Sequence, residues 1–277
     1  MKERFKVEPV HLTPIIASLL FSILCAYLIS VSPIEHYNVT PLPEGVPGSF
    51  GNAFYFVVLV GIGATILYFL IRRGSQKLML FLIGLAITMA VFLLSFLYSF
   101  AFLASFNVLS CGFFALIASV LITVLADVAI FKLHGWVSSL VVLLLGGALG
   151  AFLGASIPTL STVLILCFLA VYDVFAVYRG PVGKIADKGL EKLHGLSFSF
   201  KDVQMGLGDL TFYSMLTGHM FLFFGYLPCL ASIIGILAGC SFAFKMLKKR
   251  GMFPGLPFPI ILGLTLGFLT SFMIKFL

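Results

Sequence analysis

The sequence predicts an all-α membrane protein of nine transmembrane helices, with the N-terminus cytoplasmic and the C-terminus outside. Composition is the first ground. Of 277 residues, 61% are apolar, 10% are charged and 31 are Phe, and the mean hydropathy is +1.18, outside the range of soluble domains. Length is the second: apolar runs of about 20 residues recur from end to end, each able to cross a ~30 Å hydrocarbon core as a helix. Charge placement is the third. With the N-terminus inside, 16 of the 17 Lys and Arg fall in inner segments and only Lys275 falls outside, as the positive-inside rule requires. The net charge of +7 therefore reflects topology and contact with anionic lipid heads, and nucleic-acid binding is left without a basis.

The first span, 14–31, follows the charged Met1-Lys2-Glu3-Arg4-Phe5-Lys6 and has full membrane length, so it reads as a span and not as a cleavable signal. A Pro- and Gly-rich outer loop, 32–52, is expected to be irregular and leads to spans two, three and four at 53–71, 78–102 and 108–126. Span five, 137–157, carries Gly146, Gly150 and Gly154 at four-residue spacing, a small face suited to close helix crossing. Span six, 160–178, is separated from it only by Pro158-Thr159. Spans seven and eight, 207–224 and 227–244, meet at Gly225-Tyr226 before Pro228. Pro and Gly at these joints favour tight hairpins over continuous helices. Span eight has its own small face at Gly235 and Gly239, and span nine covers 254–274. The chain is thus one polytopic domain, 1–277, in which a cytoplasmic loop, 179–205, divides spans one to six from spans seven to nine. Cys25, Cys111, Cys167, Cys229 and Cys240 lie within or at the ends of apolar runs, with no disulfide or metal spacing.

Asp173 and Asp209 lie inside apolar stretches. A charged carboxylate at membrane depth costs at least ~2.5 kcal/mol on insertion scales, which makes such residues functional candidates. Span six runs inward and Asp173 lies five residues before its end; span seven runs outward and Asp209 lies two residues after its start. At 1.5 Å per residue both sit about 3–8 Å inside cytoplasmic helix ends, at similar depth on antiparallel neighbours. Pro254-Gly255-Leu256-Pro257 opens span nine at the same level, and non-helical backbone at that depth belongs where it is buried or lines a cavity. Asp127, near Lys132 at the inner end of span four, reads as interfacial. His219, ten residues and about 15 Å beyond Asp209, reads as an interhelical hydrogen-bonding group.

These segments resemble a known family. Tyr172-Asp173, Gly206-Leu207-Gly208-Asp209 and Pro254-Gly255-Leu256-Pro257 are similar to the three signatures of the presenilin and signal peptide peptidase family, nine-span intramembrane aspartyl proteases. Val171-Tyr172-Asp173-Val174-Phe175-Ala176-Val177 and Phe212-Tyr213-Ser214 resemble the presenilin branch, whose orientation the charge pattern also fits. The likeness covers about 167–218 and the ninth span, and rests on topology elsewhere. Gly255 departs from the pattern, which usually has alanine there. The resemblance implies that Asp173 and Asp209 are catalytic, that Tyr172, Leu207, Pro254, Gly255, Leu256 and Pro257 bind substrate, and that no cofactor or metal takes part. It also implies transmembrane peptides or single-span proteins with an external N-terminus as substrates. Animal presenilins carry a long cleavable insertion between these spans; here the connection 179–205 is 27 residues, so the active form is expected to be one chain.

Two close carboxylates cannot both ionise, so the pair shares a proton. The ionised member then activates a water and the protonated member donates to the peptide carbonyl. Gly206 and Gly208 remove side chains beside Asp209 and let a substrate backbone approach. Lys184, Lys188 and Lys192 share one face of a predicted surface helix. Leu196-Ser197-Phe198-Ser199-Phe200 alternates with period two and predicts a strand. Through Leu196, Phe198 and Phe200 this strand is expected to hold an extended substrate by β-augmentation. The rival reading is a proton- or cation-coupled carrier using the same two acids and the broken ninth span, although no internal repeat accompanies it.

Overall fold

Hydrocarbon offers no partner to a backbone N–H or C=O, so a chain this apolar must pair them internally, as helices do. The computed structural model describes residues 9–33, 38–106, 110–133, 135–178, 197–200, 203–250 and 253–276. Among the described residues a 3-10 turn, Pro9–Leu12, leads into nine α-helices: α1 Thr13–Val31, α2 Val46–Arg72, α3 Gln76–Ser105, α4 Cys111–Phe131, α5 Trp136–Ser156, α6 Thr159–Tyr178, α7 Leu207–Phe224, α8 Tyr226–Arg250 and α9 Pro257–Lys275. Eight of them are long and apolar enough to cross a membrane. The chain is an integral, multi-pass membrane protein.

The helix outside that set is α7, whose 18 residues include Asp209, Thr211, Ser214, Thr217 and His219. Its polarity is tolerated because protein, not lipid, surrounds it. Leu210, Thr211 and every residue from Tyr213 to Met220 are buried. The glycine face of α5 makes this possible. A Cβ on Gly150 would lie 2.5 Å from the Thr211 carbonyl oxygen and 2.7 Å from the Met215 nitrogen, and one on Gly154 would lie 2.6 Å from the Met215 oxygen. The expected small face therefore seats α7 backbone to backbone. A second seam joins α8 to α9, where a Cβ on Gly239 would lie 2.5 Å from Pro259. On its other side α7 meets α1, where Ser22 donates to the Ser214 carbonyl at 2.9 Å and Ser18 lies 3.3 Å from the Ser214 hydroxyl. In turn, Tyr98 of α3 donates to the Ala148 carbonyl of α5 at 2.7 Å.

Several boundaries differ from expectation. The helix α2 begins at Val46, seven residues early, so the end of the loop at 32–52 is helical. The buried Asn52 exchanges hydrogen bonds with the Leu42 backbone at 2.9 and 3.2 Å and lies 3.3 Å from Ser161, which donates to Ser49. Those contacts to α6 hold the extra turns in place. Both hairpin joints are as expected. Ile157 and Pro158 separate α5 from α6, and Gly225, at φ +91°, breaks the chain between α7 and α8.

A two-stranded antiparallel hairpin precedes α7. Its strands are β1 Ser197–Phe200 and β2 Val203–Gly206, in a register that pairs Ser197 with Gly206 and Phe200 with Val203. The expected strand therefore exists, with a partner that the sequence pattern did not announce. Leu196 and the surface helix expected at Lys184, Lys188 and Lys192 lie outside the described residues.

Candidate active site

Asp173 sits five residues before the end of α6, and Asp209 is the third residue of α7; both are half-buried. Opposite them runs the segment just before α9. Span nine was expected from residue 254, but Pro254, Gly255 and Leu256 are not helical and α9 starts at Pro257. Proline at the first helical position has its φ preset and needs no partner for a missing N–H, so the helix begins there cleanly. The backbone before it is left free to make other bonds.

Those bonds go to the acids. The Leu256 N–H donates to Asp173 Oδ2 at 3.0 Å. Gly255 faces the other carboxylate: a Cβ there would lie 2.5 Å from Asp209 Oδ2 and 3.1 Å from its Cγ. Adjacent residues have Cα atoms about 3.8 Å apart, so a single backbone step touches both carboxylates. Alanine at 255 would press on Asp209, which gives the departure at this position a physical meaning.

Sequence reasoning gave no role to Tyr213. This ring is 1% exposed, and its hydroxyl donates to the Gly255 carbonyl at 2.8 Å. Its signal was the four-residue spacing from Asp209, which stacks the two side chains on one helix face.

The other predicted positions are distributed around this centre. Gly206 ends β2 and caps α7, and Gly208 is exposed beside Asp209. The Leu207 side chain reaches α5, 3.3 Å from where a Gly146 Cβ would stand. Pro254 is buried, and the Leu256 side chain, 5% exposed, belongs to the core, so the part of Leu256 that meets an acid is its backbone. Tyr172 is half-buried, with its ring toward α2: its hydroxyl lies 3.7 Å from where a Gly61 Cβ would stand. Phe198 and Phe200 lie on β1, beside α5, and β2 runs without a break into α7. Away from the centre, Asp127 accepts from the Thr88 hydroxyl through both oxygens, at 3.0 and 2.9 Å. His219 bridges helices as expected: Nδ1 lies 2.7 Å from the Gly154 carbonyl and Nε2 lies 3.0 Å from the Thr159 hydroxyl.

This helical membrane bundle has counterparts of known structure, among them intramembrane aspartate proteases. One solved structure of a presenilin family intramembrane aspartate protease, in the C222 space group, matches with a TM-score of 0.68 at 18% identity, covering 94% of this chain and 97% of that one. Another, in the P2 space group, matches with a TM-score of 0.66 at 25% identity, covering 97% of this chain and 99% of that one. Neither a protein-family model nor a curated protein matches the chain. The chain thus has the fold of the presenilin-family intramembrane aspartate proteases and resembles them over nearly its whole length. That likeness supports intramembrane proteolysis as its general function.

Proposed function

We propose that this protein hydrolyses peptide bonds within the transmembrane helices of membrane-protein substrates, with Asp173 and Asp209 as the catalytic pair. One observation carries the reading: the Gly255-Leu256 step contacts both carboxylates at once, bonded to Asp173 and packed on Asp209. A structural ion pair has no need of such a step, because two acids do not neutralise each other.

In the reaction the ionised carboxylate takes a proton from a water as the water oxygen bonds to the scissile carbonyl carbon. The protonated carboxyl gives its proton to the carbonyl oxygen, forming a tetrahedral diol. Collapse breaks the C–N bond, the amine nitrogen takes the proton held by the first aspartate, and the second aspartate recovers a proton from the diol. Asp209 lies beside Gly206 and Gly208, whose missing side chains leave room for a substrate backbone. Among the described residues the hairpin has two strands, so each keeps one edge without a strand partner. We assign β1 the task of holding the substrate extended, with Leu196, Phe198 and Phe200 as contacts. With α7 counted as a crossing, the chain has nine spans, the N-terminus inside, the C-terminus outside and the acids near the cytoplasmic face. The substrates are transmembrane peptides or single-span proteins with an external N-terminus.

The carrier reading draws no support from the likeness, since both matched structures are proteases. Purified chain in liposomes with a transmembrane peptide tests the choice. The reading predicts cleavage that stops when a hydroxyl-bearing transition-state isostere is added. Ion flux that resists the isostere, with no cleavage, contradicts it.

A further inference from the structure

We propose that Tyr213 is a positioning residue that sets the separation of the two carboxylates, acting through the Gly255 carbonyl. The proposal rests on the reading of Asp173 and Asp209 as the catalytic pair. The two acids stand on different helices, α6 and α7, and nothing in the covalent chain fixes their spacing. The backbone step Gly255-Leu256 does touch both. The Leu256 carbonyl accepts from the Ile260 N–H at 3.0 Å, but the Gly255 carbonyl and the Leu256 N–H precede α9 and have no helical partner, so something else must hold them. The Tyr213 hydroxyl holds the carbonyl at 2.8 Å, from a ring that is 1% exposed.

The geometry gives the bond leverage. Tyr213 is one turn beyond Asp209 on α7, so the same rigid helix carries one acid and grips the segment that grips the other. Two hydrogen bonds, joined by the Gly255-Leu256 peptide unit, link Asp209's helix to Asp173. The phenol has one proton, which goes to Gly255, and the Cys240 thiol of α8 lies near the same hydroxyl. The ring is fixed by this bond and by its burial in the core. Gly255 is the complementary part: without a Cβ, the held backbone can lie directly on Asp209.

Tyr213→Phe keeps the ring and its packing and removes only the bond, so the variant is expected to fold. Misplacing reacting groups by about 1 Å costs on the order of a hundredfold in rate, so a loss of tenfold or more in kcat at unchanged KM is expected. The two apparent pKa values of the pH–rate profile should shift as well, because the coupling between the acids depends on their distance. The hydroxyl isostere, which binds the pair without turnover, should weaken by a similar factor. An activity within twofold of wild type, or a loss with unchanged pH profile and unchanged isostere binding, overturns the proposal. Asp173→Asn and Asp209→Asn are measured alongside: if either stays active, the catalytic-pair reading fails and this inference fails with it. If both are dead and Tyr213→Phe is normal, only the inference fails. Gly255→Ala supplies an independent check. Because Tyr213 acts through residue 255, the two substitutions should combine to less than the product of their separate losses, and strictly multiplicative losses contradict the proposal.

Discussion

Replacing Gly150 by alanine tests how tightly the position of Asp209 depends on helix packing. The added Cβ would stand 2.5 Å from the Thr211 carbonyl oxygen and 2.7 Å from the Met215 nitrogen, where ordinary contact begins at 3.4 Å. Both neighbours are backbone atoms of α7, so no side-chain rotation relieves the overlap. The helix must retreat by about 1 Å, and overpacking of this kind costs about 1–3 kcal/mol. Asp209 lies two residues before Thr211 on that helix, whereas Asp173 is carried by α6. The retreat therefore changes the spacing between the acids, at a cost of about a hundredfold in rate. Gly63 on α2 is the control. A Cβ there meets nothing within 4 Å, so Gly63→Ala should be neutral or stabilise by up to about 1 kcal/mol. Thermal unfolding in detergent and cleavage of a transmembrane peptide measure both effects. Gly150→Ala with the melting temperature and rate of Gly63→Ala would refute the reasoning.

His219→Ala removes two interhelical bonds from a side chain that is 1% exposed, so unfolding should become easier by about 1–3 kcal/mol; an unchanged melting temperature contradicts this. Proline at Phe198 or Ser199 deletes a strand N–H and constrains the preceding residue, so either change should slow cleavage tenfold or more, while Ser199→Ala should be mild. Near wild-type rates in both proline variants would end the role assigned to β1 and leave the aspartate pair untouched. Activity should belong to the intact chain, so a preparation whose activity tracks a cut between α6 and α7 would count against the one-chain form.

Much of this architecture was legible because membrane insertion acts locally. Run length, Lys and Arg placement, and Pro or Gly at the 158 and 225 joints are properties of short stretches. The glycines of α5 were legible for the same reason, since small residues at four-residue spacing have one main use between apolar helices. Contacts made at long range were not. The early start of α2 passes through Pro47-Gly48, which reads as loop until Asn52 finds Leu42 and Ser161. The strand β2, Val203-Gln204-Met205-Gly206, is too short at four residues for its pattern to be read and is defined by its pairing with β1. Tyr213 reads as one more aromatic in an apolar run, and its meaning lies in a carbonyl 42 residues away. Within the site, both acids and the broken backbone were visible in the sequence; which atom of that backbone meets which acid was not.

The central claim is that both aspartates perform one reaction, and single substitution of each tests it most directly. Asp173→Asn and Asp209→Asn replace an ionisable oxygen by an amide of nearly equal size, so packing and the fold should survive. Each purified variant, reconstituted in liposomes with a transmembrane peptide, should show no cleavage above background while unfolding at the wild-type temperature. Cleavage at a substantial fraction of the wild-type rate in either variant would contradict the account.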